Sequence, residues 1–147
     1  MKRAVVLALE LAVAVLVVGI AAPLRADVSA PSPAAVPWRT DAKAAEREAA
    51  KLKRPLLVFF SAAWCMPCEE MKRKSFADPD VAALIARSFV PLIVDMTNDD
   101  DAAKAIGDRY HVRALPTLIV LHGAAEKLRL ESFVAAAELH AALARIR

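Results

Sequence analysis

Apolar and polar positions alternate along this chain in two rhythms. Residues 56–60, 89–95 and 117–121 are largely continuous apolar runs of strand length, the pattern of strands covered on both faces. Between them the pattern turns helical. In 42–52 the charges Lys43, Glu46, Arg47, Glu48 and Lys51 leave Ala45, Ala49 and Leu52 as an apolar stripe. Thr40 or Asp41 can cap that helix, and Pro55 stops it. Residues 65–74 read as a second helix, and Asp78-Pro79 opens a third, with an N-cap and a first-turn proline, running to about Arg87. A fourth helix over 99–110 carries acids in its first turn. His122-Gly123 turns the chain toward a short alternating strand at 127–130, which pairs as a hairpin. Residues 133–146 close the chain as a helix, with Val134, Leu139, Leu143 and Ile146 near one side. Strands alternating with helices, then a hairpin and a helix, predict an α/β fold: a central mixed sheet flanked by helices.

The first 26 residues follow a different rule. Met1-Lys2-Arg3 is a short cationic start, the run 4–22 is apolar except for Glu10, and Leu24-Arg25-Ala26 offers a cleavage site before Asp27. This is the pattern of a secretory signal peptide. An uncleaved N-terminal anchor is the rival, since 21 residues (4–24) can cross a bilayer, although Glu10 would be costly there. Lys2 and Arg3 stay inside in either case, so residues 27–147 are expected outside the cytoplasm, in the periplasm or an equivalent space. Residues 27–37, rich in Ala, Pro and Ser, read as a linker.

The leader also changes the charge balance. The whole chain of 147 residues has 20 basic and 17 acidic groups; residues 27–147 have 17 and 16, a net charge of +1. That is no basis for binding nucleic acid, which needs a clustered basic face. One domain of ordinary size fits this length. Two cysteines exclude both a disulfide-rich scaffold and a four-thiolate zinc site.

Those cysteines are the candidate chemistry. Trp64-Cys65-Met66-Pro67-Cys68 lies where a strand ends and a helix begins. Cys65 near a helix N-terminus meets unpaired amides and the positive end of the macrodipole, both of which favour a thiolate. Cys68 sits about one turn deeper, within reach of a mixed disulfide on Cys65, so the pair can exchange two electrons with a substrate disulfide. Pro67 costs nothing in a first turn, where its missing donor is unneeded. Two other uses stay open: a structural disulfide, or a metal site completed by His111, His122 or His140, as in a copper-handling module for oxidase or cytochrome assembly. Covalent haem attachment is excluded, because Glu69 rather than His follows Cys68.

The motif after Leu56-Leu57-Val58-Phe59-Phe60, together with Ala114-Leu115-Pro116-Thr117, resembles the thioredoxin superfamily. More narrowly, it is similar to the C-terminal domain of thiol:disulfide interchange protein DsbD and related secreted thioredoxin-like proteins. Residues 74–81 and 95–112 match further, and the resemblance spans about 38–146, so 38–147 is expected to be a thioredoxin-like domain. The resemblance implies that Cys65 is the attacking thiolate and Cys68 the resolving one. It implies that Pro116 is a cis-proline, that the Leu115 backbone receives a substrate strand, and that Trp64, Met66 and Pro67 border the substrate. It implies an exported thiol–disulfide oxidoreductase, running as a reductase on protein substrates with an external electron partner such as a membrane thiol relay. No organic cofactor and no metal are expected, a monomer is expected, and contact with a membrane arises only through an uncleaved leader.

Two departures from the family stand out. Phe59 occupies the place where many thioredoxins carry a buried acid that helps deprotonate the resolving thiol. Lys72 stands where the DsbD-type domain has an acid, and favours a thiolate if it folds back toward the site. Glu69 and Glu70 are expected to face solvent, and Met66 and Met71 to pack.

Overall fold

The computed structural model describes residues 35–98 and 100–146, so the expected leader and most of the expected linker lie outside the described residues. The elements run α1 (Ala42–Leu52), β1 (Leu56–Ser61), α2 (Met66–Lys74), α3 (Pro79–Ser88), β2 (Val90–Asp95), α4 (Asp101–Arg109), β3 (Thr117–His122), β4 (Ala125–Leu130) and α5 (Ala136–Ala144). The strands form one sheet in the order β2-β1-β3-β4. β1 is parallel to β2 and antiparallel to β3, and β3 is antiparallel to β4. The sheet is thus mixed and flanked by helices, the fold expected from the strand and helix pattern.

The apolar run in β1 has a direct cause. All six of its residues are buried, because its alternate side chains feed two cores. Leu57 and Phe59 point into a cluster with Cys68, Met71, Val81, Ile85, Leu139 and Leu143, supplied by α2, α3 and α5. Leu56, Val58 and Phe60 join the opposite cluster with Ala45 and Ala49 of α1 and Ala103 in the first turn of α4. Each fully buried Leu or Phe contributes roughly 1.5–3 kcal/mol. This strand therefore anchors both layers and fixes where its C-terminal end, with the cysteines, emerges.

The helix starts follow their capping residues. Asp41, Asp78 and Asp100 each accept a hydrogen bond from a backbone amide in the first turn of the helix that follows. α1 ends at Lys53, which adopts left-handed backbone (φ 53°) and donates its amide to the Ala49 and Ala50 carbonyls.

Several expectations need correction. Leu52 is 46% exposed rather than part of the buried stripe, because it falls in the last turn of α1. β4 shows no alternation: its first three residues are exposed and its last three half-buried, since the strand is an edge and its register shifts between Val120 and Leu121. α5 starts at Ala136, so Val134 packs from the segment ahead of the helix. There the Ser75 hydroxyl donates to the Val134 carbonyl and ties α2 to the approach of α5. Packing begins upstream of Trp38, because Val36 is buried. Arg39 also forms a parallel bridge to Leu92 on the free edge of β2. Among the described residues, no helix is long and apolar enough to cross a membrane.

Candidate active site

β1 delivers the chain to the site, and α2 receives it. Cys65 is the N-cap of α2 with extended backbone (φ −88°, ψ 96°), and its sulfur accepts a hydrogen bond from the Cys68 amide at 3.3 Å. Cys65 and Cys68 form a disulfide, with Cα atoms 5.3 Å apart. Their exposure differs: Cys65 keeps 5% of its surface accessible, while Cys68 keeps none and sits in the core beside Met71. Cys65 is thus almost buried among helix N-terminal donors, and Cys68 is fully enclosed one turn further on.

The second half of the site comes from β3. The Leu115–Pro116 peptide is cis, as the resemblance implies. The antiparallel register pairs Phe60 with Thr117, which brings Leu115–Pro116 to the same end of the sheet as the Ser61–Cys65 segment. Thr117 Oγ1 donates to the Ala114 carbonyl at 2.7 Å and closes the turn. Leu115 is half-buried and Pro116 buried. Trp64 and Met66 are 66% and 74% exposed, and Pro67 is exposed too. Met66 therefore does not pack, contrary to expectation, whereas Met71 does.

The charged residues of α2 pair along the helix surface, with Glu69 and Glu70 each keeping part of their side chains in solvent. Lys72 is not free to attend the sulfurs, because its ammonium pairs with Glu69 at 2.7 Å. Glu70 is likewise held by Lys74 at 2.6 Å, and that hydrogen bond keeps its carboxyl below the usual range. Both pairs follow from three- and four-residue spacing on a helix surface.

Three polar residues near this end escape a reading by motif. Asp95 ends β2, and its carboxylate accepts from both the amide and the hydroxyl of Thr97, which hold its pKa below the ordinary value. Thr97 Oγ1 in turn accepts from the Ala63 amide at 2.8 Å, and the Thr97 carbonyl accepts from the Trp64 indole at 3.3 Å. An Asp two residues before a Thr at a strand end is an Asx-turn signal that the sequence does contain. The third is Ser61, 1% exposed, whose hydroxyl finds no hydrogen-bond partner among the described residues.

The candidate metal ligands are not brought together. His111 lies at the exit of α4, His122 at the end of β3 and His140 in α5. Among the described residues, no three His, Cys, Asp or Glu side chains cluster to hold a metal. A cleft of about 600 Å³, lined in part by Leu56, Tyr110, Leu121 and His122, lies at the far end of β1 from the cysteines.

A family profile described as Thioredoxin-like matches residues 37–123. The chain belongs to that family. Its fold matches the solution structure of a thioredoxin from Thermus thermophilus with a TM-score of 0.67 at 26% identity, covering 76% of this chain and 87% of that one. The reduced C-terminal domain of DsbD from Neisseria meningitidis gives a TM-score of 0.62 at 24% identity, covering 71% of this chain and 93% of that one. In sequence, the chain is 34% identical over 70 residues to thiol:disulfide interchange protein DsbD of Vibrio vulnificus, a stretch of 48% of this chain and 12% of that protein. The chain thus spans about an eighth of the curated relatives it matches. It is thus a thioredoxin-like protein with a cysteine pair at disulfide distance, similar over part of its length to DsbD.

Proposed function

We propose that this protein is an exported thiol–disulfide oxidoreductase that reduces disulfides in other proteins outside the cytoplasm. The observation that carries the reading is the asymmetry of the pair: Cys65 keeps a small accessible surface at a helix N-terminus, and Cys68 keeps none. In the dithiol form, the Cys65 thiolate attacks one sulfur of a substrate disulfide and expels the other as a thiolate. This leaves Cys65 and the substrate in a mixed disulfide. Cys68 then loses its proton and attacks Cys65 Sγ, releasing the second substrate thiolate and forming the Cys65–Cys68 disulfide. The substrate gains two electrons, and an external dithiol restores the pair. The helix N-terminal amides, including that of Cys68, favour charge on Cys65 and so make it both the better attacking group and the better leaving group.

Pro116 and the Leu115 backbone form the far wall of the substrate site, with Trp64, Met66 and Pro67 as its apolar rim. The Phe59 ring offers Cys68 no base, so its proton leaves through water or through the departing substrate thiolate. Export rests on the cationic and apolar pattern of residues 1–26, and the reducing direction rests on the likeness to DsbD.

The test is a trapping experiment with a redox titration. Cys68→Ser is expected to accumulate mixed disulfides with protein substrates, and Cys65→Ser none. A two-electron midpoint near ~−270 mV supports a reductant, and one near ~−120 mV would reverse the direction. Trapping through Cys68 alone would overturn the role assignment.

A further inference from the structure

The exchange reading accounts for the two sulfurs but not for what holds the rim beside them. Trp64 is 66% exposed, so burial does not fix the pose of its indole. Its one hydrogen bond among the described residues is to the Thr97 carbonyl, 33 residues along the chain. The same residue holds the backbone just ahead of the indole, because Thr97 Oγ1 accepts from the Ala63 amide at 2.8 Å. The direction of these bonds is determined. A carboxylate can only accept, so the Thr97 hydroxyl must donate to Asp95, which leaves its lone pairs for the Ala63 amide. The Thr97 amide also donates to Asp95, at 2.8 Å, and locks the residue in place. Asp95 and Thr97 follow the end of β2, whereas Ala63 and Trp64 follow β1. The clasp thus joins two loops at the end of the sheet where the disulfide lies.

We propose that Thr97, aligned by Asp95, is a positioning residue that sets the pose of Trp64 and with it the fit of protein substrates over Cys65. The proposal rests on the exchange function above. It predicts a split between substrates. A folded or extended polypeptide must lie against the indole to reach Cys65, whereas a small aromatic or aliphatic disulfide need only reach the sulfur. A valine at 97 keeps the shape of threonine and removes the hydroxyl that serves both Asp95 and Ala63.

The test uses the purified full chain with insulin as the protein disulfide and 5,5′-dithiobis(2-nitrobenzoate) as the small one. Thr97→Val is expected to lower kcat/KM for insulin about fivefold, the loss of roughly one net hydrogen bond, mostly through KM. The small disulfide should react within about twofold of wild type, because the thiolate itself is untouched. Thr97→Ser should restore the insulin rate. Asp95→Ala, which frees the threonine to rotate, should follow Thr97→Val. A readout independent of turnover is the Trp64 indole N–H resonance, assigned by its loss in Trp64→Phe. It should move in Thr97→Val and return in Thr97→Ser. An unmoved resonance, or insulin and small-disulfide rates falling equally, overturns the proposal while the exchange reading stands. A wild-type chain inert toward both disulfides would instead sink the exchange reading, and the substrate part of this proposal with it.

Discussion

Reducing the disulfide perturbs both the folded and the unfolded chain, and the balance sets the pair's potential relative to that of the unfolded dithiol. The Cys65–Cys68 bridge closes a loop of sequence separation 3. By the chain-entropy argument, so short a loop restricts the unfolded state enough to stabilise the oxidised protein by about 2 kcal/mol. Opposing this, the reduced protein gains whatever the α2 amides contribute to a Cys65 thiolate. Each tenfold gain in thiolate stability, once the thiol is mostly ionised, adds about 1.4 kcal/mol to the reduced form. Cancelling the loop contribution therefore takes about one and a half decades of such stabilisation. A helix N-terminus contributes about 0.3–1 kcal/mol to a surface charge and up to ~2 kcal/mol to a partly buried one; Cys65 is 5% exposed, and Lys72 is engaged by Glu69. The oxidised form should thus remain the more stable, by up to about 1.5 kcal/mol. Through the thermodynamic cycle, this places the native potential up to about 30 mV below that of the unfolded dithiol. The assay is urea unfolding of the oxidised and the fully reduced protein, followed by far-UV circular dichroism so that quenching of Trp64 by the disulfide does not intrude. The oxidised midpoint should lie higher, by up to about 1 M urea. A reduced form more stable than the oxidised one would refute the reasoning.

Other substitutions test the packing around the site. Ser61→Ala should be neutral or stabilising by about 1 kcal/mol in the same urea assay, because it removes a buried hydroxyl that has no partner among the described residues; a loss of more than that would show that the hydroxyl is satisfied. Ser75→Ala should cost about 1–3 kcal/mol by thermal or urea unfolding, since it strands the Val134 carbonyl at the approach to α5; an unchanged midpoint would contradict the tie between α2 and α5. Asp95 is held below its ordinary pKa by the Thr97 hydroxyl and amide, so its contribution to stability is present above about pH 4 and is lost as pH falls through the folded value. Asp95→Asn should therefore flatten the loss of stability on acidification, and a pH profile parallel to wild type would exclude this source.

Much of the architecture is legible in the residues because local and tertiary preferences agree. The Leu56–Ser61 run is apolar since both its faces are covered, and the aspartates ahead of α1, α3 and α4 announce helix starts that the fold does use. The cysteine pair is legible for a related reason: its spacing has few physical uses, and the strand before it and the helix after it narrow them further. Edges and surfaces are harder to read. β4 carries no alternation because only one side of it is paired, and Arg39 bridges to Leu92 from a stretch with no strand signal. Lys72 and Met66 illustrate a second limit. Residue type leaves open whether a cation folds back or pairs along its helix, and whether a methionine packs or projects. The Asp95–Thr97 clasp is a third case, because Ala63 and Trp64 become its partners only when β1 and β2 lie parallel with Ser61 opposite Asp95.

The two residues enclosed by the disulfide stand apart from everything that holds the domain together. Met66 is 74% exposed and Pro67 is exposed, while the cysteines on either side are buried. Substitutions at 66 and 67 therefore disturb no core contact, yet they alter the amides, charge and solvent next to both sulfurs. Changes at these two positions would therefore reach the cysteine pair through the amides, charge and solvent of its own loop, without repacking the core clusters on either face of the sheet.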